Sequence, residues 1–184
     1  MRHLNLVLLT AIGISSMLVP IAPARAAETV AVTISGPSDN QTFSAELDGS
    51  PLPGTLGQAT ARFGLPVSRH RYGPEGGVNC RVSWPTKHIT GTFTVALGGL
   101  HDGCIAGAGT MVLTLGSGWT TNTGLAVGQP VADLRHVYPH ARASGDHWAL
   151  VRYFYGAGFY VTELGAVTSR GRITALTVAG GPDE

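Results

Sequence analysis

The sequence predicts an α+β fold: antiparallel sheet with two short helices, arranged as two tandem units of one helix and three strands. A mostly-β sandwich is the alternative. The prediction depends on two short segments with apolar residues at helical spacing, each followed by three strand-like runs with intervening turns. Charged residues make up 12% and hydrophobic residues 43%, which is typical of a folded chain rather than a disordered one.

The first 26 residues have the pattern of a secretory signal peptide. Arg2 and His3 precede an apolar run over residues 4–19, and Ala24-Arg25-Ala26 provides small residues at a cleavage site. The run has about 16 residues, fewer than the ~20 that a membrane-spanning helix needs. We therefore expect a secreted or extracytoplasmic chain with no membrane span after cleavage.

Residues 27–50 are predicted to form an extended N-terminal segment, with possible edge strands at 30–35 and 42–47. Residues 51–118 form the first predicted unit, which contains both cysteines. Thr55 is expected to cap a helix whose Leu56, Ala59 and Phe63 share one face. The strand-like runs of this unit are residues 80–84, 89–97 and 110–115.

Residues 119–184 form the second predicted unit. Pro130 suits the first turn of a helix, and Pro139 ends it. The strand-like runs are residues 148–155, 159–167 and 173–178. An offset of 75 residues superimposes the apolar positions of the first predicted helix on Val131, Leu134 and Tyr138, which suggests an internal repeat.

Cys80 and Cys104 are the two cysteines of the chain, and an even number in an exported protein predicts a disulfide. Closing a loop of ~25 residues would stabilise the fold by about 3.5 kcal/mol in the chain-entropy model. The alternative is a pair of metal ligands or a reactive thiol, but no Cys-x-x-Cys spacing supports it.

Four potential metal ligands lie close together in the sequence: His136, His140, Asp146 and His147. Imidazole and carboxylate groups suit Zn or Cu. The i, i+4 spacing of the first two would place them on one helix face, but Pro139 interrupts that helix. The alternative is a solvated helix end, so a metal site is the lesser expectation and no cofactor the main one.

No motif in the sequence specifies a reaction. There is no Gly-x-Ser-x-Gly elbow for a nucleophilic serine, and Glu163 has no second carboxylate at a defined distance. We therefore predict no catalytic residues. The formal net charge of +1 lacks the basic field of a nucleic-acid-binding protein, so nucleic acid is not an expected partner.

Aromatic residues are concentrated near the C-terminus, and four of them form the predicted binding surface: Trp148, Tyr153, Tyr155 and Tyr160. If one face of this hairpin is open, Tyr153 and Tyr155 share an exposed surface suited to a protein or a glycan. The alternative is cross-strand pairing that only stabilises the sheet.

The segment from Gly124 to Leu134, followed by Tyr138-Pro139, resembles the helix opening of the secreted β-lactamase inhibitory proteins and of small envelope-assembly lipoproteins. It also resembles uncharacterised secreted proteins of actinobacterial type. The resemblance covers residues 52–178 as a pattern of helix followed by antiparallel strands. It implies an exported, non-catalytic binding or inhibitor-like module of the cell envelope or medium. The alternative function is metal binding or metal-dependent hydrolysis by the histidine cluster.

Overall fold

A computed structural model describes residues 27–35, 42–73, 79–95, 104–154 and 160–179. Two α-helices and twelve strands lie within these ranges, which confirms the predicted α+β class. The predicted signal peptide, residues 1–26, lies outside the described residues.

The elements follow one another along the chain in a helix-then-strands order that occurs twice. The helices are α1 (Leu56–Phe63) and α2 (Val131–Val137). The strands are β1 (Glu28–Ser35), β2 (Thr42–Leu47), β3 (Ser50–Pro51), β4 (Ser68–Tyr72), β5 (Asn79–Trp84), β6 (Ile89–Thr94), β7 (Gly109–Leu115), β8 (Trp119–Thr121), β9 (Arg142–Ser144), β10 (His147–Phe154), β11 (Tyr160–Ser169) and β12 (Arg172–Ala179). A short 3-10 helix, Pro85–Lys87, joins β5 to β6.

Eight strands form one antiparallel sheet in the order β4-β5-β6-β7-β12-β11-β10-β9. The four strands after α1 form one half, and the four strands after α2 form the other. Each unit therefore contributes four strands rather than the predicted three. The additional strands, β4 and β9, are the two edges of the sheet, and their side chains are mostly exposed. An edge strand that buries neither face lacks the apolar alternation by which strands are recognised in sequence.

The N-terminal segment belongs to a separate four-stranded sheet in the order β3-β2-β1-β8. The interpretation of β1 and β2 as edge strands is wrong, because each has a neighbour on both sides. β1 pairs antiparallel with β2 and parallel with β8, which begins at Trp119 after the turn that ends β7. Arg62 of α1 donates hydrogen bonds to the Leu47 and Pro51 carbonyls, so this sheet packs beside α1.

Helix α1 begins at the predicted cap. The Thr55 Oγ1 atom accepts a hydrogen bond from the Gln58 backbone N–H at 3.2 Å, and the Gln58 side chain accepts one from the Gly54 N–H at 2.7 Å. This is a variant of the reciprocal capping box. Leu56 and Ala59 are buried, as the helical spacing predicted.

Helix α2 begins after Pro130 without a side-chain cap. Its Asp133 lies in the first turn and its Arg135 in the last, which suits the helix dipole. Leu134 is the buried residue of this helix.

The backbone hydrogen bonds around the two helix starts repeat with the offset suggested by the sequence. In the first unit, the Leu56 N–H donates to the Ala108 carbonyl and the Thr110 N–H donates to the Gly54 carbonyl. In the second unit, the corresponding bonds run from Val131 N–H to the Gly171 carbonyl and from Ile173 N–H to the Gln129 carbonyl. Leu56 and Val131 are 75 positions apart, and so are Gly54 and Gln129. This common offset supports an internal structural repeat.

One hydrophobic core joins the helices and both sheets. It contains Val30 and Leu47 of the small sheet, Leu56 of α1, Leu134 of α2 and the inward-facing residues of the large sheet. The Cys80–Cys104 disulfide is present and ties β5 to the segment that leads into β7, which confirms the predicted pairing. Among the described residues, no helix has the length and apolar character needed to cross a membrane.

Candidate functional site

The large sheet has two faces that differ in chemistry. Along each strand, successive side chains point to opposite faces, and directly paired residues of neighbouring strands point to the same face. The register therefore assigns each residue to one of two faces, which we call the core face and the open face.

The core face carries a row of apolar side chains, most of them large, that crosses six strands in direct register. The row consists of Trp84, Ile89, Leu115, Leu176, Ala166 and Trp148. All six are buried. Phe63 of α1 contacts the Trp84 ring edge-to-face at 5.4 Å between centroids, and Arg135 of α2 lies over the Trp148 ring. Both helices therefore cover the core face.

The open face carries a row of small and hydroxyl side chains, ending in an arginine, that crosses all eight strands. In sheet order it consists of Ser68, Ser83, Thr90, Thr114, Thr177, Gly165, Ala149 and Arg142. The four central hydroxyl residues are half-buried, as expected of a sheet face whose side chains cover one another. Neither described helix lies on this face.

A cationic and aromatic cluster occupies one end of the open face. His70 and Tyr72 lie two residues apart on β4, and their rings stack with 6.5 Å between centroids and 7° between planes. Arg81 of β5 pairs directly with His70, and its guanidinium lies 5.5 Å from the centre of the Tyr72 ring. We call these three residues the His70–Tyr72–Arg81 cluster.

This cluster was not predicted from the sequence, because β4 was not recognised as a strand. The alternation of His70 and Tyr72 in Ser-Arg-His-Arg-Tyr was the available signal, but a polar strand of five residues resembles a loop.

Glu163 is a buried carboxyl group in an irregular part of the β10–β11 ladder. Val151 pairs with Leu164 and Arg152 pairs with Thr162, so Glu163 has no residue directly opposite it in β10. The residue is only 4% exposed, and its Oε2 atom has no hydrogen-bond partner among the described residues. Burial raises the pKa of this carboxyl group to about 7.

Trp148, one of the four residues of the predicted aromatic surface, lies in the core. This residue is 8% exposed and belongs to the core, because it shares the core-face row with Ala166 and is covered by Arg135. Tyr153 and Tyr160 lie on β10 and β11, but their side chains are outside the described residues. Tyr155 lies entirely outside them.

The four predicted metal ligands do not form a ligand group. His136 is exposed on α2, and His140 is exposed in the turn that follows. The His147 Nε2 atom lies 3.4 Å from the Asp146 Oδ1 atom, with both side chains largely exposed. In the part of the chain that the structure describes, no three His, Cys, Asp or Glu residues are arranged to hold a metal ion.

Comparison of this chain with protein-family models, with curated proteins and with solved structures finds no significant match.

Proposed function

We propose that this chain is an exported, non-catalytic binding module that contacts a protein partner through the open face of its eight-stranded sheet. The observation that carries the proposal is the row of small and hydroxyl side chains that crosses all eight strands. Such small side chains make the surface of the sheet flat, and their hydroxyl groups can donate and accept hydrogen bonds. The opposite face, by contrast, is filled by tryptophans and aliphatic residues.

The size of the open face suits a protein partner. Eight strands at ~4.8 Å spacing span about 34 Å, and six-residue central strands extend about 20 Å, so the face covers roughly 700 Å². A standard protein–protein interface buries roughly 800 Å² on each partner. A small molecule would instead require a concave site that encloses most of its surface.

Export is the second part of the proposal. The disulfide is typical of proteins from oxidising compartments, and the signal-like residues 1–26 agree with it. The order of a helix followed by antiparallel strands, occurring twice in one sheet, agrees with the proposed resemblance to secreted inhibitory proteins. The alternative function of a metal centre receives no support from the positions of His136 and His140.

Site-directed photo-crosslinking tests the proposal. A photo-reactive amino acid replaces Thr114 at the centre of the open face, and in a control chain it replaces Ser44, which is exposed on the small sheet. Each chain is exported by the source organism, and cross-linked proteins are identified by mass spectrometry. We expect a protein captured from position 114 and not from position 44.

Affinity measurements then separate specific binding from accidental capture. The captured protein is purified, and its affinity is measured for the Thr177→Trp variant, which places a bulky side chain beside Thr114, and for the control variant Ser44→Trp. Thr177→Trp should weaken binding by at least about tenfold, whereas Ser44→Trp should leave it unchanged. Absence of capture at position 114, or equal affinity of the two variants, would contradict the proposal.

A further inference from the structure

The His70–Tyr72–Arg81 cluster lies on the open face but contributes little to the core. The first four residues of β4 are exposed and Tyr72 is half-buried, so no residue of β4 is fully buried. An exposed cation–π contact contributes about 0.5–1 kcal/mol, which is comparable to the rotamer entropy lost in ordering such side chains. The stability of the sheet therefore does not account for the cluster.

The polar atoms of the cluster have few partners within the protein. Tyr72 is the cation–π partner of Arg81 and the stacking partner of His70. No hydrogen bond or ion pair joins the side chain of Arg81 or of His70 to another residue in the described ranges. The guanidinium group is thus held in position by a ring while its N–H donors remain available, which is the arrangement of a preorganised anion receptor.

The charges of the large sheet also favour an anionic partner. The register places Arg81 and Arg142 on the open face. Among the described residues of the eight strands, the one acidic residue is Glu163, which is buried. A partner surface rich in carboxylates would therefore meet complementary charge on this sheet.

We infer that the partner presents an acidic protein surface, and that Arg81, positioned by Tyr72 and His70, binds one of its carboxylates in a bidentate manner; this inference rests on the proposed function. A planar guanidinium matches the two oxygens of a carboxylate, and the stacked rings provide apolar contact beside it. Arginine and tyrosine are also the residue types that most often dominate the binding energy of protein interfaces.

The test uses defined probes in an NMR titration of the full exported chain at low salt. The probes are a capped octaglutamate peptide and, as the arm for an anionic glycan, a heparin-derived octasaccharide. We expect the peptide to shift backbone resonances of β4 and β5. Arg81→Gln should weaken peptide binding by about tenfold, because it removes a charged hydrogen-bond donor.

Two further variants localise the effect. Arg170→Gln removes the same charge at the exposed turn between β11 and β12, outside the open-face row, and should change the affinity less than twofold. Arg81→Lys keeps the charge but loses the bidentate geometry, so its affinity should lie between those of the parent chain and Arg81→Gln. The dispersion of the NMR spectrum shows directly that each variant remains folded.

Three outcomes would overturn the inference. These are equal losses for Arg81→Gln and Arg170→Gln, tighter binding of the octasaccharide than of the peptide at the cluster, and no binding of either probe. The crosslinking experiment at position 114 is independent of all three. A partner captured there whose affinity does not respond to Arg81→Gln would leave the proposed function intact and reject the acidic contact.

Discussion

The two units of the large sheet share one backbone pattern but are stabilised by different side chains. The first unit, α1 with β4–β7, has a capped helix, a disulfide and a tryptophan whose indole N–H donates to the Gly64 carbonyl at 2.7 Å. The second unit, α2 with β9–β12, lacks a side-chain cap on its helix and contains the buried Glu163 carboxyl group. The repeated hydrogen bonds at the helix starts therefore define the architecture, while local chemistry sets the stability of each half.

Because of this difference, the stabilities of the two units should depend on different solution conditions. A disulfide and an indole hydrogen bond do not titrate near neutral pH, whereas a carboxyl group with a pKa of about 7 does. We expect redox conditions to act on the first unit and pH to act on the second.

The largest effect is expected from truncating the two tryptophans that occupy equivalent ends of the core-face row. Trp84→Ala should lower the free energy of unfolding by about 4 kcal/mol, and Trp148→Ala by about 3 kcal/mol. Trp84 additionally makes the indole hydrogen bond and edge-to-face contacts with Phe63 and Phe93, each of which contributes about 1 kcal/mol. Denaturant unfolding of the oxidised chains measures both values, and a larger loss for Trp148→Ala would reverse the comparison.

The next effect concerns the disulfide of the first unit. The two cysteines are 24 positions apart, so reduction should lower the free energy of unfolding by about 3.5 kcal/mol through the loop entropy of the unfolded chain. The measurement compares denaturant unfolding of the same chain with and without a reductant. The Cys80→Ala/Cys104→Ala variant, treated with the same reductant, is the control and should show no change. A loss below about 1 kcal/mol on reduction of the parent chain would contradict the prediction.

The pH dependence of stability should reveal Glu163. Its pKa is raised in the folded state, so between pH 4.5 and 7 the folded chain retains a proton that the unfolded chain has released. Stability therefore falls as pH rises through this window, by up to about 3 kcal/mol, and this contribution is constant above pH 7. Unfolding measured across this range in the parent chain and in Glu163→Gln gives the difference, because the amide does not titrate.

The matched control for this experiment is Glu46→Gln, which makes the same change at an exposed position of β2. Its pH profile should follow that of the parent chain. Parallel profiles for Glu163→Gln and the parent chain would show that the carboxyl group is not desolvated in the second unit.

The smallest effect is expected from the cap of α1. Thr55→Ala removes the hydroxyl that accepts from the Gln58 N–H, and it should cost about 1 kcal/mol. Thr55→Ser retains the hydroxyl and should cost less than half as much. Thermal unfolding of the two variants distinguishes them, and equal shifts would show that the cap does not contribute to the difference between the two units.

The elements that bury one face were predictable from the sequence. Phe93 alternates with half-buried threonines in β6, Leu134 lies on the apolar stripe of α2, and Thr55 is a typical N-cap residue. The edge strands β4 and β9 were not predictable, because their side chains are mostly solvated and show no apolar period. The candidate site was missed for the same reason, since His70 and Tyr72 lie on one of these edges.

The sequence by itself determined the α+β class, the positions of both helices, most strands and the Cys80–Cys104 disulfide, because these depend on local periodicity, capping chemistry and cysteine parity. Only the tertiary structure decided that both units join in one sheet, that Trp148 is buried, and that Arg81 lies opposite His70. Strand pairing is set by the register between residues far apart in the chain, and a strand with apolar side chains on both faces, such as β10, does not show locally which face will meet the core.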